Sequence, residues 1–259
     1  MTDSLAHFDH ARLACDERGV YTLTITDAKS LNILGTPVIA SLIDALRWLA
    51  ARNDIRALVL RGSGERAFVA GADIHEMAAL DPQRARVFIT GVRELCCAVQ
   101  AMPVPTVARI PGYCLGAGLE LAASCDIRLA STNAVFGMPE VRVGLPSVVQ
   151  AALLPGLIGQ GATNWLLLTG ENVDAEQALA WRLVEFLSEP DALDATVEAT
   201  VGPIVASGPR AIRSQKQLLR YWQHASPTAA MDRSVDHFGA AFTEDEPARY
   251  MAPFIKRRA

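Results

Sequence analysis

Two glutamates in this sequence stand beside turns rich in glycine, and their types and settings suit proton transfer. Glu120 closes the stretch Pro111-Gly112-Tyr113-Cys114-Leu115-Gly116-Ala117-Gly118-Leu119-Glu120 and runs on into Leu121, Ala122 and Ala123, so its carboxyl lies among apolar neighbours. Burial disfavours the charged form and raises a carboxyl pKa toward the range where an acid or base works near neutrality. Glu140, in FGMPEVRVG after Pro139, is a second candidate acid or base. Taken alone, each reads first as a surface carboxylate or a helix-start residue.

The turns have chemistry of their own. Gly71 sits in AFVAGADIHEM, where small residues follow an apolar pair and precede a helix start. That composition exposes backbone and brings main-chain N–H groups close to a ligand; the alternative is an ordinary glycine turn. In PGYCLGAGLE, Gly112, Gly116 and Gly118 lie between a buried strand and a helix. The free N–H groups of that helix start point outward, and the dipole there favours developing negative charge, so an oxyanion site is physically available. A dinucleotide fingerprint is set aside, because Leu121 stands where the GxGxxG pattern needs Gly or Ala.

The elements that must hold these turns alternate between strand and helix. Residues 20–26 (VYTLTIT) predict an antiparallel or edge strand bounded by Gly19 and Asp27. Thr36 as N-cap and Pro37 in the first turn open an amphipathic helix carrying Ile39, Leu42, Ile43, Leu46 and Leu49. Residues 57–60 (ALVL) read as a strand buried on both faces, with parallel pairing implied. Asp81 and Pro82 open a helix with a stripe of Val87, Phe88, Val92, Leu95, Cys96 and Val99, ending before Pro103 and Pro105. Strands at 106–110 and 126–130 flank an apolar helix near 119–124. Beyond Asp174, which caps AEQALAW, helices are expected near 191–206, 209–223 and 228–243. The expected organisation is an α/β core over residues 1–190 that carries the site, and a helical region over 191–259.

Bulk properties exclude several classes. The chain has 259 residues and a formal charge of −4, so there is no global positive field to draw nucleic acid. Lys256, Arg257 and Arg258 form a terminal basic cluster that solvates the end or meets one anionic group. Five cysteines, odd in number and without CxxC pairing to histidines, point to neither a disulfide framework nor a metal site, and fit a reducing cytoplasm. Charges or prolines interrupt every apolar run, so no membrane span and no secretion signal are expected. His75 reads as a pocket-edge or solvated residue.

AFVAGADIHEM, PGYCLGAGLELAASCDIRLAS and FGMPEVRVGLP, in this order and spacing, resemble the crotonase (enoyl-CoA hydratase/isomerase) superfamily. The similarity runs over nearly the whole chain, from Lys29-Ser30-Leu31-Asn32 to LLLTGENVDAEQALAWRLVE and the closing FIKRR. It implies an α/β fold, a spiral of repeated ββα units with a C-terminal helical trimerisation region, and trimers that often pair as hexamers. It also implies an acyl-CoA substrate whose thioester carbonyl is polarised by two backbone N–H groups, here those of Ala72 and Ala117. Each such donor is typically worth ~3–4 kcal/mol toward the oxyanion.

By the same resemblance, Glu120 activates the water that attacks C3 and Glu140 supplies the proton at C2, roles the pair can share. Lys29, Ser30 and Leu31 match the adenine-contacting loop; Asp73 and Ile74 are pocket-lining or structural, Asp73 being as readily a helix cap. Phe254 and Arg257 match positions that contact the nucleotide end of coenzyme A, often across a subunit boundary. No resident cofactor is implied, since coenzyme A is part of the substrate. Where family hydratases carry a glycine-rich stretch after the second glutamate, this chain has Gly144-Leu145-Pro146-Ser147-Val148-Val149-Gln150, one residue shorter. That departure implies an altered acyl pocket and keeps isomerase, hydrolase and carbon-carbon lyase chemistry open as alternatives. A non-catalytic RNA-binding relative is the alternative from another class.

Overall fold

A computed structural model describes residues 6–256. The chain opens with a hairpin of β1 (Ala11–Cys15) and β2 (Val20–Ile25), then α1 (Thr36–Ala50). A strand pair then recurs, each time followed by helix: β3 (Ala57–Gly62) and β4 (Ala67–Val69) before α2 (Ile74–Ala78) and α3 (Pro82–Gln100), then β5 (Thr106–Ile110) and β6 (Tyr113–Leu115) before α4 (Ala117–Ala123). The third pair is β7 (Ile127–Ser131) and β8 (Val135–Gly137), followed by two short 3₁₀ turns and α5 (Leu154–Thr169). In each pair the first strand joins one sheet and the second joins another. The large sheet has the order β1-β2-β3-β5-β7-β10 and the small one β4-β6-β8-β9, with β9 (Asn172–Asp174), α6 (Ala175–Ala180) and β10 (Phe186–Ser188) completing both. Parallel pairing holds from β2 to β10, whereas β1 and β9 are antiparallel. This is an α/β spiral of repeated ββα units.

Period-two side-chain alternation divides the core. From the large sheet Tyr21, Leu23, Ile25, Leu58, Leu60, Ala108 and Ile110 face α1 and α3 in one cluster. Their neighbours Val20, Ala57, Val59, Val107 and Leu129 face the other way, against Leu193 and Val201 of α7 (Leu193–Ala206). Covered on both sides, β3 needs the unbroken apolar run ALVL that marked it in the sequence. α8 (Pro209–Trp222) docks through Lys216, whose buried ammonium donates to the Val104 carbonyl and to Asp126 Oδ2, both at 2.7 Å. α9 (Pro227–Ala241) and α10 (Glu246–Lys256) follow. Among the described residues no helix is long and apolar enough to cross a membrane.

Of the two alternatives for β2, antiparallel pairing holds, with β1, and the edge position does not. Two further local expectations are corrected. Thr36 is the first helical residue of α1 rather than its cap. The cap position is Gly35, and the orphan N–H of Thr36 is met by Glu76 Oε2 at 2.9 Å, from α2. Val87 is exposed, because the buried stripe of α3 steps through residues 88, 92, 95, 96 and 99, and residue 87 lies one helical step outside it.

Candidate active site

The first turn is stitched to a neighbouring loop on both sides. Ala70 N–H donates to the Leu31 carbonyl (3.0 Å), Leu34 N–H to the Gly71 carbonyl (3.0 Å) and Asp73 N–H to the Leu34 carbonyl (2.9 Å). Gly71 has φ of +118°, a conformation that favours glycine. Ladder alternation along this stretch turns the N–H of Ala72 away from the loop, and among the described residues it has no hydrogen-bond partner. The loop itself is pinned by Asn32, whose buried amide donates to the Ala67 carbonyl (2.9 Å) and accepts from Ser63 N–H (3.2 Å).

The second turn is Gly116, with φ +52° and ψ −124°, where β6 gives way to α4. Ala117 is the first residue of that helix, so its N–H is one of the orphan donors of a helix start and has no partner among the described residues. The two bends lie against each other. A Cβ at Gly116 would stand 4.0 Å from Cα of Gly71, one at Gly71 would be 3.5 Å from the Leu115 carbonyl, and one at Gly118 would collide with the Val69 carbonyl at 2.1 Å. At 118 only a residue without a side chain lets α4 approach the Val69 backbone so closely, while at 116 glycine is favoured by the positive φ.

Both glutamates flank the second bend. Glu120 lies in the first turn of α4, 4% exposed, with Oε1 accepting from Ala151 N–H at 3.1 Å. Burial pushes its pKa up to about 8; the Ala151 N–H pulls it down, and the charge of Glu140 adds to the rise. Glu140 is half-buried in the 3₁₀ turn Pro139–Val143, with Oε2 accepting from the Ser147 hydroxyl at 2.8 Å. Its Oε1 lies against the second bend, 2.6 Å from where a Cβ at Gly116 would stand.

The chain is matched by the enoyl-CoA hydratase/isomerase family model over residues 16–259. It belongs to that family. The short-chain-enoyl-CoA hydratase of Clostridium acetobutylicum is 32% identical over 243 residues, 93% of each chain. The crotonyl-CoA hydratase of Syntrophomonas wolfei is also 32% identical, over 93% of this chain and 94% of its own. A solved enoyl-CoA hydratase structure from Mycobacterium smegmatis superposes with a TM-score of 0.92 at 30% identity, covering 96% of each chain.

The remaining residues named from the sequence divide in this family member. Lys29 and Asp73 meet, Nζ to Oδ2 at 2.5 Å, beside exposed Ser30 and Ile74 and half-buried Leu31. Asp73 also caps α2, accepting from His75 N–H (3.1 Å), so it serves the helix and the lysine together. The imidazole of His75 belongs to an exposed residue. Phe254 stands elsewhere, 72% exposed on α10, a helix tied to the start of α8 by Glu246 and to Ser207 by Tyr250. Arg257 lies outside the described residues. Sequence reasoning passed over Ser147 and Ala151, each of which donates to one of the glutamates. The Ser147 contact closes over seven residues and had a local signal, a hydroxyl just past the reversal at Gly144. The Ala151 contact spans 31 residues and had none.

Proposed function

We propose that this enzyme is an enoyl-CoA hydratase, adding water reversibly across the 2,3 double bond of an enoyl-CoA thioester. The observation that carries the reading is the pair of carboxyls at one glycine bend, Glu120 behind it and Glu140 lying against Gly116. Hydration needs two proton movements, one from the attacking water and one to C2, and two carboxyls can divide them. In this reading Ala72 and Ala117 donate their unpaired N–H groups to the thioester oxygen. Preorganised donors bind the enolate oxygen better than the neutral carbonyl, which lowers the barrier to water attack at C3. Glu120 takes the proton of that water and Glu140 delivers one to C2, which restores the carbonyl. The names of the Clostridium and Syntrophomonas relatives support the same reaction class.

Lys29, Ser30, Leu31, Asp73 and Ile74 would receive the coenzyme A portion, with Lys29 already held by Asp73. Phe254 and Arg257 would reach the nucleotide end from a neighbouring subunit of a trimer or hexamer. Support for such an assembly is the exposed apolar row Met231, Val235, Phe238 and Phe242 along α9 and its end, spaced as one helical stripe. The proposed reaction calls for no resident cofactor, and the five unpaired thiols fit a reducing cytoplasm.

The test is loss of enoyl-thioester absorbance with crotonyl-CoA. Purified protein should consume the substrate and give the product heavier by one water. Wild-type rates in a Glu120→Gln plus Glu140→Gln variant would exclude the assigned roles. The shortened segment after Gly144 favours, as a second reading, double-bond isomerisation on the same enolate; a product of unchanged mass would select it.

A further inference from the structure

Glu140 stands on a short, half-exposed 3₁₀ turn. A glutamate there is free to sample many rotamers, at an ordering cost of up to about 2 kcal/mol. A carboxyl that must deliver a proton to C2 of a bound thioester needs that freedom removed beforehand. Among the described residues one hydrogen bond to its side chain does so, the Ser147 hydroxyl at 2.8 Å. The path that returns Ser147 to Glu140 is built into the backbone. Leu145 N–H bonds the Glu140 carbonyl at 3.0 Å, Gly144 reverses the chain with φ of +78°, and Pro146 fixes the next φ. The same segment continues through Val149, φ +40°, to Ala151, whose N–H holds Glu120. One stretch of chain therefore supplies a donor to each glutamate.

We propose that Ser147 is a positioning residue for this enzyme: by occupying Oε2 of Glu140 it leaves Oε1, the oxygen that lies against Gly116, as the atom that moves the proton. The inference deepens the hydratase reading and depends on it for its kinetic part. Oε1 sits beside the turn whose next residue, Ala117, presents a free N–H, so a thioester oxygen bound there would bring C2 toward that atom. Without the hydroxyl the two oxygens become equivalent and the side chain swings.

The test uses full-length Ser147→Ala and Ser147→Thr proteins with crotonyl-CoA, and ¹³C-carboxyl-labelled glutamate for NMR. Loss of the hydrogen bond that holds Oε2 predicts a kcat about tenfold lower in Ser147→Ala, with KM within about twofold of wild type. Ser147→Thr keeps a hydroxyl at the same place and should recover to within about threefold. The Glu140 carboxyl signal, identified by its disappearance in Glu140→Gln, should move in the alanine variant and stay in the threonine variant. Wild-type kcat in Ser147→Ala, a threonine variant as slow as the alanine one, or an unmoved Glu140 signal would each overturn the proposal. If wild-type protein hydrates no enoyl thioester, the hydratase reading fails by itself, and the NMR signal still decides whether Ser147 holds Glu140.

Discussion

Glu120 and Glu140 flank the same glycine bend but are held in opposite ways. Glu120 rides on α4, enclosed on every side and 4% exposed, and its carboxyl meets a backbone N–H from a distant segment. Glu140 rides on a 3₁₀ turn at the protein surface and meets a side-chain hydroxyl from seven residues away. The difference teaches that one residue type can be prepared for two jobs by its surroundings. An enclosed carboxyl keeps its proton to higher pH, while a carboxyl at the surface is aimed by its neighbours.

The largest break in this comparison comes from removing the enclosed member. Glu120→Gln is nearly isosteric and retains an oxygen for the Ala151 N–H, yet it cannot take a proton from water. A loss of about 10³-fold in kcat is expected, within the usual span for a general base. A variant keeping more than a tenth of wild-type kcat would remove Glu120 from proton transfer. The same residue sets a pH signature. Its pKa is near 8 when folded against an ordinary 4.5, so the folded state holds the extra proton between those values. Stability from this group is full below about 4.5 and is lost as pH rises toward about 8, by an amount on the order of a few kcal/mol. Urea titrations should therefore show wild type losing stability relative to Glu120→Gln across that window. In wild type, kcat/KM should climb with pH through about 8 and level off above it, because only ionised Glu120 accepts the proton. A flat profile from pH 6 to 9 would contradict the assignment.

A smaller effect should reach Glu140 through Gly116. The new Cβ in Gly116→Ala would stand 2.6 Å from Glu140 Oε1, at a positive φ that alanine adopts only with strain. The glutamate must move, and the Ala117 N–H with it, so a fall of about 10²-fold in kcat is expected, comparable to losing one oxyanion donor. Coupling sharpens the point. In a Glu140→Gln background the alanine substitution should cost much less, since the proton-delivering carboxyl is already gone, and a double-mutant cycle reads that difference. Equal costs in both backgrounds would separate Gly116 from Glu140.

How much of this was legible in the sequence varied with how local the cause was. β3 and β5 were readable because both of their faces are covered and their apolar runs are unbroken or nearly so. β1, with alternate residues exposed and an arginine between, carries no such run, and α10 hides behind Pro247 and Pro253. The kink at Gly159 in α5 has φ of +78°, a conformation that favours glycine, in a run that also holds Gly156 and Gly161. At the site, composition marked the glycine bends and both glutamates as candidates, and the family resemblance supplied their roles. What fixes them had no such mark. Glu76 serves Thr36 from forty residues away and Ala151 serves Glu120 across 31, and no periodicity encodes contacts that exist only once the spiral has closed.

The smallest predicted effect concerns the segment that links the two carboxyls. Val149 lies in the left-handed region, with φ of +40°. A β-branched residue there crowds its own backbone, and such strain costs on the order of 1–3 kcal/mol. Its side chain also packs against the core, so any truncation loses contacts and a single substitution confounds the two terms. Comparing Val149→Gly with Val149→Ala isolates the strain, because both remove the branched side chain and only glycine relieves the backbone. At ordinary φ an alanine is more stable than a glycine by roughly 0.5–1 kcal/mol. Here the order should invert, with the glycine variant more stable by about 1 kcal/mol in urea unfolding. An alanine variant more stable than the glycine one by the ordinary margin of roughly 0.5–1 kcal/mol would mean that no strain is stored between Ser147 and Ala151. The grip on both glutamates would then come from the hydrogen bonds alone.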